Sequence, residues 1–362
     1  MISNKKRFYD AIDRGRQGKN LGLPIGLPKL ESYMDGFLPE SSYLVGAASG
    51  TGKSSFVIYS FIYKPLIAFL KGELSNRDPY WLIFSLEMTS EQVYSKLVSL
   101  YIYENFGEQI SFKEMFSRGK DCILSDDRYD LLKSCEDFLN VLDKRLIFYE
   151  GTLTAEKYKN SVLEVLSKFG RFEGEVYVPN NPDRIIGVVV DHLSLIRATN
   201  GRSKKEEMDL LSSYSVQLRN RCKISPIHVM QFNRDASNQE RTKQGLQEPT
   251  SSDFKDTGAA YEDSTVVIGL HSPVKFKLSS YRKYNIKELG QNFIAAVLLK
   301  SRFGTSDIVD PMGFYGNINM FAELPKAENI CDYTRYKDPL WCLENDTNEK
   351  DTKTKSNIKI TL

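Results

Sequence analysis

The run Gly46-Ala47-Ala48-Ser49-Gly50-Thr51-Gly52-Lys53-Ser54 constrains this chain more than any other stretch. It follows a short apolar segment, Tyr43-Leu44-Val45, and opens the apolar stretch 54–70. A strand that turns through a glycine-rich loop directly into a helix is an arrangement that holds phosphate. Glycines let backbone N–H groups converge on phosphate oxygens. The helix N-terminus adds a partial positive charge. Ala48, Ser49, Gly50, Thr51, Gly52, Lys53, Ser54 and Ser55 are therefore the candidate nucleotide-binding residues. Lys53 is suited to the β- and γ-phosphates and the Ser54 hydroxyl to Mg2+, so ATP and Mg2+ are the expected cofactors. The strict pattern has glycine six residues before the lysine; Ala47 stands there, with Gly46 one place earlier.

The rest of the chain alternates strands and helices. Strands are expected at 80–86, 146–149, 185–190, 227–231, 265–270 and 294–299. The run Ile185-Ile186-Gly187-Val188-Val189-Val190 has no polar alternation and should be buried on both faces. Helices are expected from Thr89, which with Gln92 has capping-box spacing, to about 103, over 155–169 behind Thr154, and over 205–222. Residues 106–145 read as helical, 171–182 as a surface excursion, and Pro65 should bend or break the helix that begins at Ser54. Alternation of this kind implies an α/β fold, a mostly parallel twisted sheet with helices on both faces. The organisation expected is an arm at 1–20 carrying a short basic amphipathic helix, one motor domain at 21–344, and a disordered polar tail at 345–362.

Composition narrows the function. Net charge is +2, so the chain is not basic throughout, although a local basic strip can still meet phosphates. Five scattered cysteines without a C-x-x-C pair and three histidines give neither a disulfide framework nor a zinc cluster. The stretch 1–7 lacks the apolar h-region of a secretory signal and the sequence has no long uncharged apolar run, so no membrane span is expected and the cytoplasm is the expected location, a host's cytoplasm if the chain is of phage origin.

A phosphate loop needs an acid near Mg2+ and a group that orients water. Asp191 ends the buried strand 185–190, where an acid faces the nucleotide crevice; it is the second candidate Mg2+ residue beside Ser54. Glu87 ends the strand 80–86, and from spacing alone it is equally a general base and a cap for the following helix. Gln231 ends the strand 227–231 and is equally a γ-phosphate sensor and a plain strand terminus.

Together these segments resemble the motor domain of DnaB-type replicative helicases, RecA-like hexameric P-loop ATPases. The segments that carry the likeness are Gly26-Leu27-Pro28-Lys29-Leu30-Glu31 with Gly36-Phe37-Leu38, the phosphate loop, Phe84-Ser85-Leu86-Glu87-Met88, Asp191-His192-Leu193-Ser194-Leu195, Gln231-Phe232-Asn233-Arg234, the stretch 252–258, and Lys300-Ser301-Arg302-Phe303-Gly304. The family often has alanine where Ala47 stands, and it favours arginine where Lys255 stands. The resemblance implies Glu87 as catalytic base, Gln231 as sensor, and Arg302 as an arginine finger acting on a neighbouring subunit with Lys300 as its companion. Only about twenty residues precede the leading segment. The family's N-terminal collar is therefore expected to be missing, and primase or loader recruitment is left open. The basic helix at 5–16 would correspond to the family's linker helix.

Two basic loops, 197–205 and 233–252, suit single-stranded DNA backbone, with Arg197, Lys204, Arg234, Arg241 and Lys243 as candidate contacts. Taken singly, such residues are as readily a solvated surface. The expected function is a homohexameric, ATP-driven helicase with 5'-3' activity of the family type. Alternatives are a RecA-like recombination or repair ATPase working as a filament, and an ATP-binding assembly ring without DNA activity.

Overall fold

The computed structural model describes residues 4–199, 201–233, 248–339 and 341–342; the tail expected at 345–362 lies outside them. One nine-stranded sheet organises the domain. Its strands are β1 (Tyr43–Ala47), β2 (Asp78–Ser85), β3 (Leu146–Glu150), β4 (Arg184–Asp191), β5 (Ser225–Gln231), β6 (Val266–His271), β7 (Phe293–Ser301), β8 (Ile308–Tyr315) and β9 (Met320–Glu323). Their order is β9-β8-β7-β6-β1-β5-β4-β2-β3. Pairing is parallel from β6 through β3 and antiparallel from β6 out to β9.

Both faces of the sheet are covered. One carries α2 (Pro28–Met34), α3 (Lys53–Val57), α4 (Lys64–Leu70), α5 (Ser90–Phe106) and α8 (Glu136–Arg145); α6 (Phe112–Met115) and α7 (Asp126–Lys133) lie between the last two in sequence. The other carries α9 (Ala155–Phe169), α10 (Lys204–Cys222) and α11 (Gly258–Asp263). Strand residues alternate between the two cores: Tyr43, Val45 and Ala47 face the first, Leu44 the second. Cover on both sides is why Ile185–Asp191 of β4 are all buried and why the sequence there shows no polar alternation. An N-terminal α1 (Asn4–Arg16) precedes the sheet, and Arg14 and Lys19 bind Asp183 at 3.2 and 3.0 Å.

Several expected elements take different forms. Residues 106–145 are three short helices rather than one stretch, because Gly107 ends α5 at φ 72° and Ser111 and Ser125 each start a new helix. The excursion at 171–182 contains a hairpin, Gly170–Glu173 against Val176–Pro179. The irregular lead-in holds α2, whose first N–H groups, on Lys29 and Leu30, donate to the Glu323 carboxylate at 2.7 and 3.0 Å. That cap comes from the other end of the domain, beyond any local signal.

Pro65 does not break its helix. Ile58–Tyr63 widen into a π-turn and the coil continues as α4 with Pro65 in its first turn. In a regular α-helix the carbonyl of Phe61 would accept from residue 65, and proline has no N–H to give. The indole N–H of Trp81 donates to Phe61 O at 2.7 Å instead, from a ring that is itself fully buried. Trp81→Phe removes that donor and should cost about 2 kcal/mol in urea unfolding. A loss below about 0.5 kcal/mol would show that the carbonyl finds another partner.

Candidate nucleotide-binding site

The register of the parallel strands gathers the candidate residues on one edge. Ala47 lies beside Gln231 and Leu270, and Ser85 beside Asp191. The phosphate loop, Gln231, Asp191 and the turn bearing Glu87 therefore all emerge where the parallel strands end. Within the loop Gly50 and Gly52 have φ of 67° and 92°. A Cβ on Gly52 would come within 2.9 Å of the Phe314 ring, so shape and backbone both require glycine there. Gly46 belongs to β1 and lies under the rings of Phe232 and Phe254, where a Cβ would approach to 2.5 Å or less.

Lys53 opens α3 and is only 6% exposed. Thr51 is buried, and among the described residues its hydroxyl has no hydrogen-bond partner. Asp191 is buried as well, and its Oδ1 also lacks a partner. Burial pushes the Asp191 carboxyl up to about 6. The Ser54 hydroxyl and the Lys53 and Lys96 ammonium groups pull the other way, while Glu87 adds to the rise. A buried carboxylate oxygen without a donor among the described residues, near a serine hydroxyl, offers two hard oxygen ligands, and Mg2+ fits them. Among the described residues no cluster of three His, Cys, Asp or Glu side chains could hold a metal alone, so phosphate oxygens and water would complete such a shell.

Glu87 is half exposed, with Oε2 3.6 Å from His192 Nε2. Burial, and then Lys53, hold the His192 imidazole below its usual range. Other groups cap α5: Thr89 N donates to Gln92 Oε1 at 3.0 Å and Ser90 N to Glu150 Oε1 at 2.5 Å. Groups other than Glu87 thus make the cap of α5. Gln231 sits at the root of the long loop. Phe232 N donates to Ala47 O at 2.9 Å, the Phe232 and Phe254 rings meet at 5.1 Å, and Asn233 N donates to Asp253 O at 3.2 Å. Arg234, Arg241 and Lys243 lie outside the described residues. Arg197 is exposed on the segment between β4 and α10, where its N is held by Leu153 O at 3.0 Å, and Lys204 is exposed as the first residue of α10.

Lys300 and Arg302 lie elsewhere. Ser301 pairs with Val266, which pairs with Tyr43, so these residues occupy the edge opposite the phosphate loop. The length of β1 separates them from it, about 13 Å along the strand. Lys300 Nζ donates to the carbonyls of Tyr261 and Glu262 at 2.9 and 2.7 Å, and Arg302 donates to Glu262 O at 3.1 Å. Cations at the C-terminal end of α11 are favoured by its dipole.

Three polar residues join the site that motif reading did not supply. Lys275 donates to Ser49 O, and burial followed by the charge of Lys53 lowers its ammonium. Lys96 and Asn319 both hydrogen-bond Ser55. The signal for Lys96 was present, since it stands in the apolar stripe Val93, Leu97, Leu100. Beside the loop lies a cavity of about 490 Å3 lined by Gly50, Thr51, Lys275, Phe314, Asn317 and Lys337, with room for the nucleoside end of a ligand.

Comparison with known proteins gives the family and the fold. The family model described as DnaB-like helicase C terminal domain matches residues 22–323. A curated relative, the replicative DNA helicase DnaB of Helicobacter pylori, is 24% identical over 253 residues. That match takes in 69% of this chain and only 43% of the relative, so the chain spans less than half of that relative's length. A solved ATPase domain superposes with a TM-score of 0.66 at 15% identity, covering 89% of this chain and 99% of the other. A solved DnaB-like replicative helicase, described with its interactions with primase, gives 0.66 at 15% identity over 90% of this chain and 68% of its own. These two structures share the fold: a RecA-like domain with a mostly parallel sheet between helices.

The raised Asp191 carboxyl has a consequence for stability. A folded-state value of about 6 against 3.8 unfolded means that the folded chain holds the proton more tightly. Between those two values stability falls as pH rises, and above the higher one the full cost remains. Without ligands, Asp191→Asn should therefore stabilise the fold at pH 7.5 by on the order of 2 kcal/mol, and the gain should vanish toward pH 4. Equal stability of the two proteins at pH 7.5 in urea melts would remove the burial cost assigned to this carboxylate.

Proposed function

We propose a replicative helicase motor from one premise: the chain belongs to the DnaB-like helicase C-terminal domain family. The reading is an ATP-driven helicase that works as a homohexameric ring on single-stranded DNA in the cytoplasm, hydrolysing ATP between subunits. The observation that carries it is the division of the machinery between two edges of the sheet. Phosphate loop, Asp191, Glu87 and Gln231 share one edge, and Arg302 stands on the other. An arginine so far from its own loop suits the loop of a neighbouring copy.

In this reading Lys53 and the N–H groups of Ala48–Ser55 bind the triphosphate. Mg2+ on Ser54 and Asp191 would neutralise charge on the phosphate oxygens. Glu87, half exposed and free of helix-capping duty, takes a proton from the attacking water. Arg302 of the neighbour stabilises the charge that develops on the transferred group, and Lys300 holds the turn that presents it. Gln231 feels the loss of the γ-phosphate. It passes that change through Phe232 and Phe254 to the loop 233–252, which with Arg197 and Lys204 holds the DNA backbone. For ring assembly, α1 offers exposed Phe8, Tyr9 and Ile12. A groove of about 510 Å3 between α9 and α10, lined by Leu163, Phe172, Tyr214 and Leu218, is a suitable receptor on the next subunit. A primase or a loader is a further candidate partner.

Lys53→Ala should abolish ATP binding, whereas Glu87→Gln should bind ATP and lose about 100-fold or more in kcat. Native turnover in Glu87→Gln would exclude it as the base. Mixing Arg302→Ala with Lys53→Ala subunits should restore part of the hydrolysis that each lacks; no recovery at any ratio would argue against a finger acting between subunits. Unwinding of a forked substrate, with hydrolysis stimulated by single-stranded DNA and weakened by salt, tests the whole reading. Hydrolysis indifferent to DNA would favour an assembly ATPase.

A further inference from the structure

Lys96 stands on the buried face of α5, three residues after Val93 and four before Leu100, where an apolar residue would continue the stripe. Its ammonium donates to Ser55 Oγ at 3.0 Å and to Asn319 Oδ1 at 3.3 Å. Asn319 Nδ2 in turn donates to Ser55 O at 3.4 Å. One lysine and one asparagine thus join three elements: the helix behind the phosphate loop, the helix behind Glu87, and the turn between β8 and β9. Ser99, almost one turn further along α5, reaches that same turn through Asn317 O at 3.4 Å. The turn is tightly set, with Asn319 1% exposed and at φ 58°. Among the described residues no carboxylate lies within ion-pair distance of Lys96; Asp191 acts on it through space. An ammonium partly withdrawn from water with neutral oxygens as its partners is costly to fold. Methionine would fill the same space without that cost. Packing therefore does not account for a lysine here, whereas a join between Ser55 and Asn319 does.

We propose that Lys96 is a positioning residue for the nucleotide: its ammonium clamps the phosphate-loop helix to the Asn319 turn, so that nucleotide occupancy and the β8–β9 hairpin are coupled. The proposal rests on the nucleotide site described above. It gives the hairpin a part in the motor, because β9 ends at Glu323, whose carboxylate holds the first N–H groups of α2. What the phosphate loop experiences thereby reaches the lead-in that carries α1.

The test uses the full chain, a fluorescent ADP with Mg2+, and amide exchange across 312–323. If the unaltered protein fails to bind the probe, or Lys53→Ala binds it normally, the nucleotide site itself is wrong and the clamp falls with it. With those controls in place, Lys96→Met should weaken binding about tenfold or more, the usual scale for losing hydrogen bonds to a charged group. Lys96→Arg, which keeps the charge and the donors, should stay within about threefold. Asn319→Gly retains the left-handed backbone and removes the amide, so it should weaken binding in the same direction. Combining it with Lys96→Met should add little, since both sever one join. Bound nucleotide should slow exchange in the 316–320 turn of the unaltered protein and of Lys96→Arg, and not of Lys96→Met. Native affinity in Lys96→Met overturns the proposal, as does weakened affinity with hairpin protection intact. Should Lys96→Met fail to fold, native affinity in Asn319→Gly overturns it equally.

Discussion

Between β1 and β5 the parallel ladder pairs Tyr43 with Ile227 and Ala47 with Gln231, and on the other side β6 brings Leu270 to Ala47. The phosphate loop, Gln231, Asp191 and Glu87 all hang from that ladder and from its continuation through β4 and β2, which sets Ser85 beside Asp191. Side chains alternate along a strand, so a slip of one residue would turn Val45 out of one core and Leu44 out of the other. Two cores of different shape therefore lock the register. The register in turn decides that Asp191 and the phosphate loop end on the same edge, and it sends β7, which runs antiparallel, back to deliver Lys300 and Arg302 at the opposite edge. The placement of Lys300 and Arg302 away from the chain's own phosphate loop is what the proposed reading, with Arg302 acting on a neighbouring copy, rests on.

The site is assembled at a cost to the fold. Asp191 and Lys53 are almost wholly removed from water, and Thr51 and Asp191 keep buried oxygens without partners among the described residues. Each such group is destabilising until a ligand satisfies it. Lys53 and Lys96 partly offset the Asp191 charge, and they carry desolvation costs of their own. Ligand binding and domain stability are therefore linked: phosphates and a cation would supply what these atoms lack, and would stabilise the folded chain by mass action.

How much of this was legible depended on how local each cause was. The phosphate loop, the cap on α9 from Thr154, which accepts from Lys157 N at 3.2 Å, and the buried run of β4 are written within a few residues of sequence and could be read there. So could the alternation that gives a parallel sheet. The break of 106–145 into three helices turned on the left-handed Gly107, the cap from Ser111 and the extended Ser125 before the next helix, signals that were present but weaker than the overall helical composition. The cap on α2 comes from Glu323, and no pattern near residue 28 could have announced it. Whether Glu87 caps its helix could not be decided by spacing, because the answer lies in Glu150 on a different strand.

Pro65 shows the same division. Sequence rules correctly say that a proline removes a donor from the helix; they do not say where a replacement comes from. Here it comes from Trp81 on β2, so a helix that local rules would break continues because the sheet beneath it supplies the missing N–H. The helix behind the phosphate loop is therefore held at two points by neighbouring elements, through Trp81 at Phe61 and through Lys96 at Ser55. Both anchors come from β2 and from the helix that follows it, and the turn between those two elements carries Glu87. The candidate phosphate loop and Glu87, the proposed base, are thus built on one mechanical unit, so that a shift in one is felt by the other.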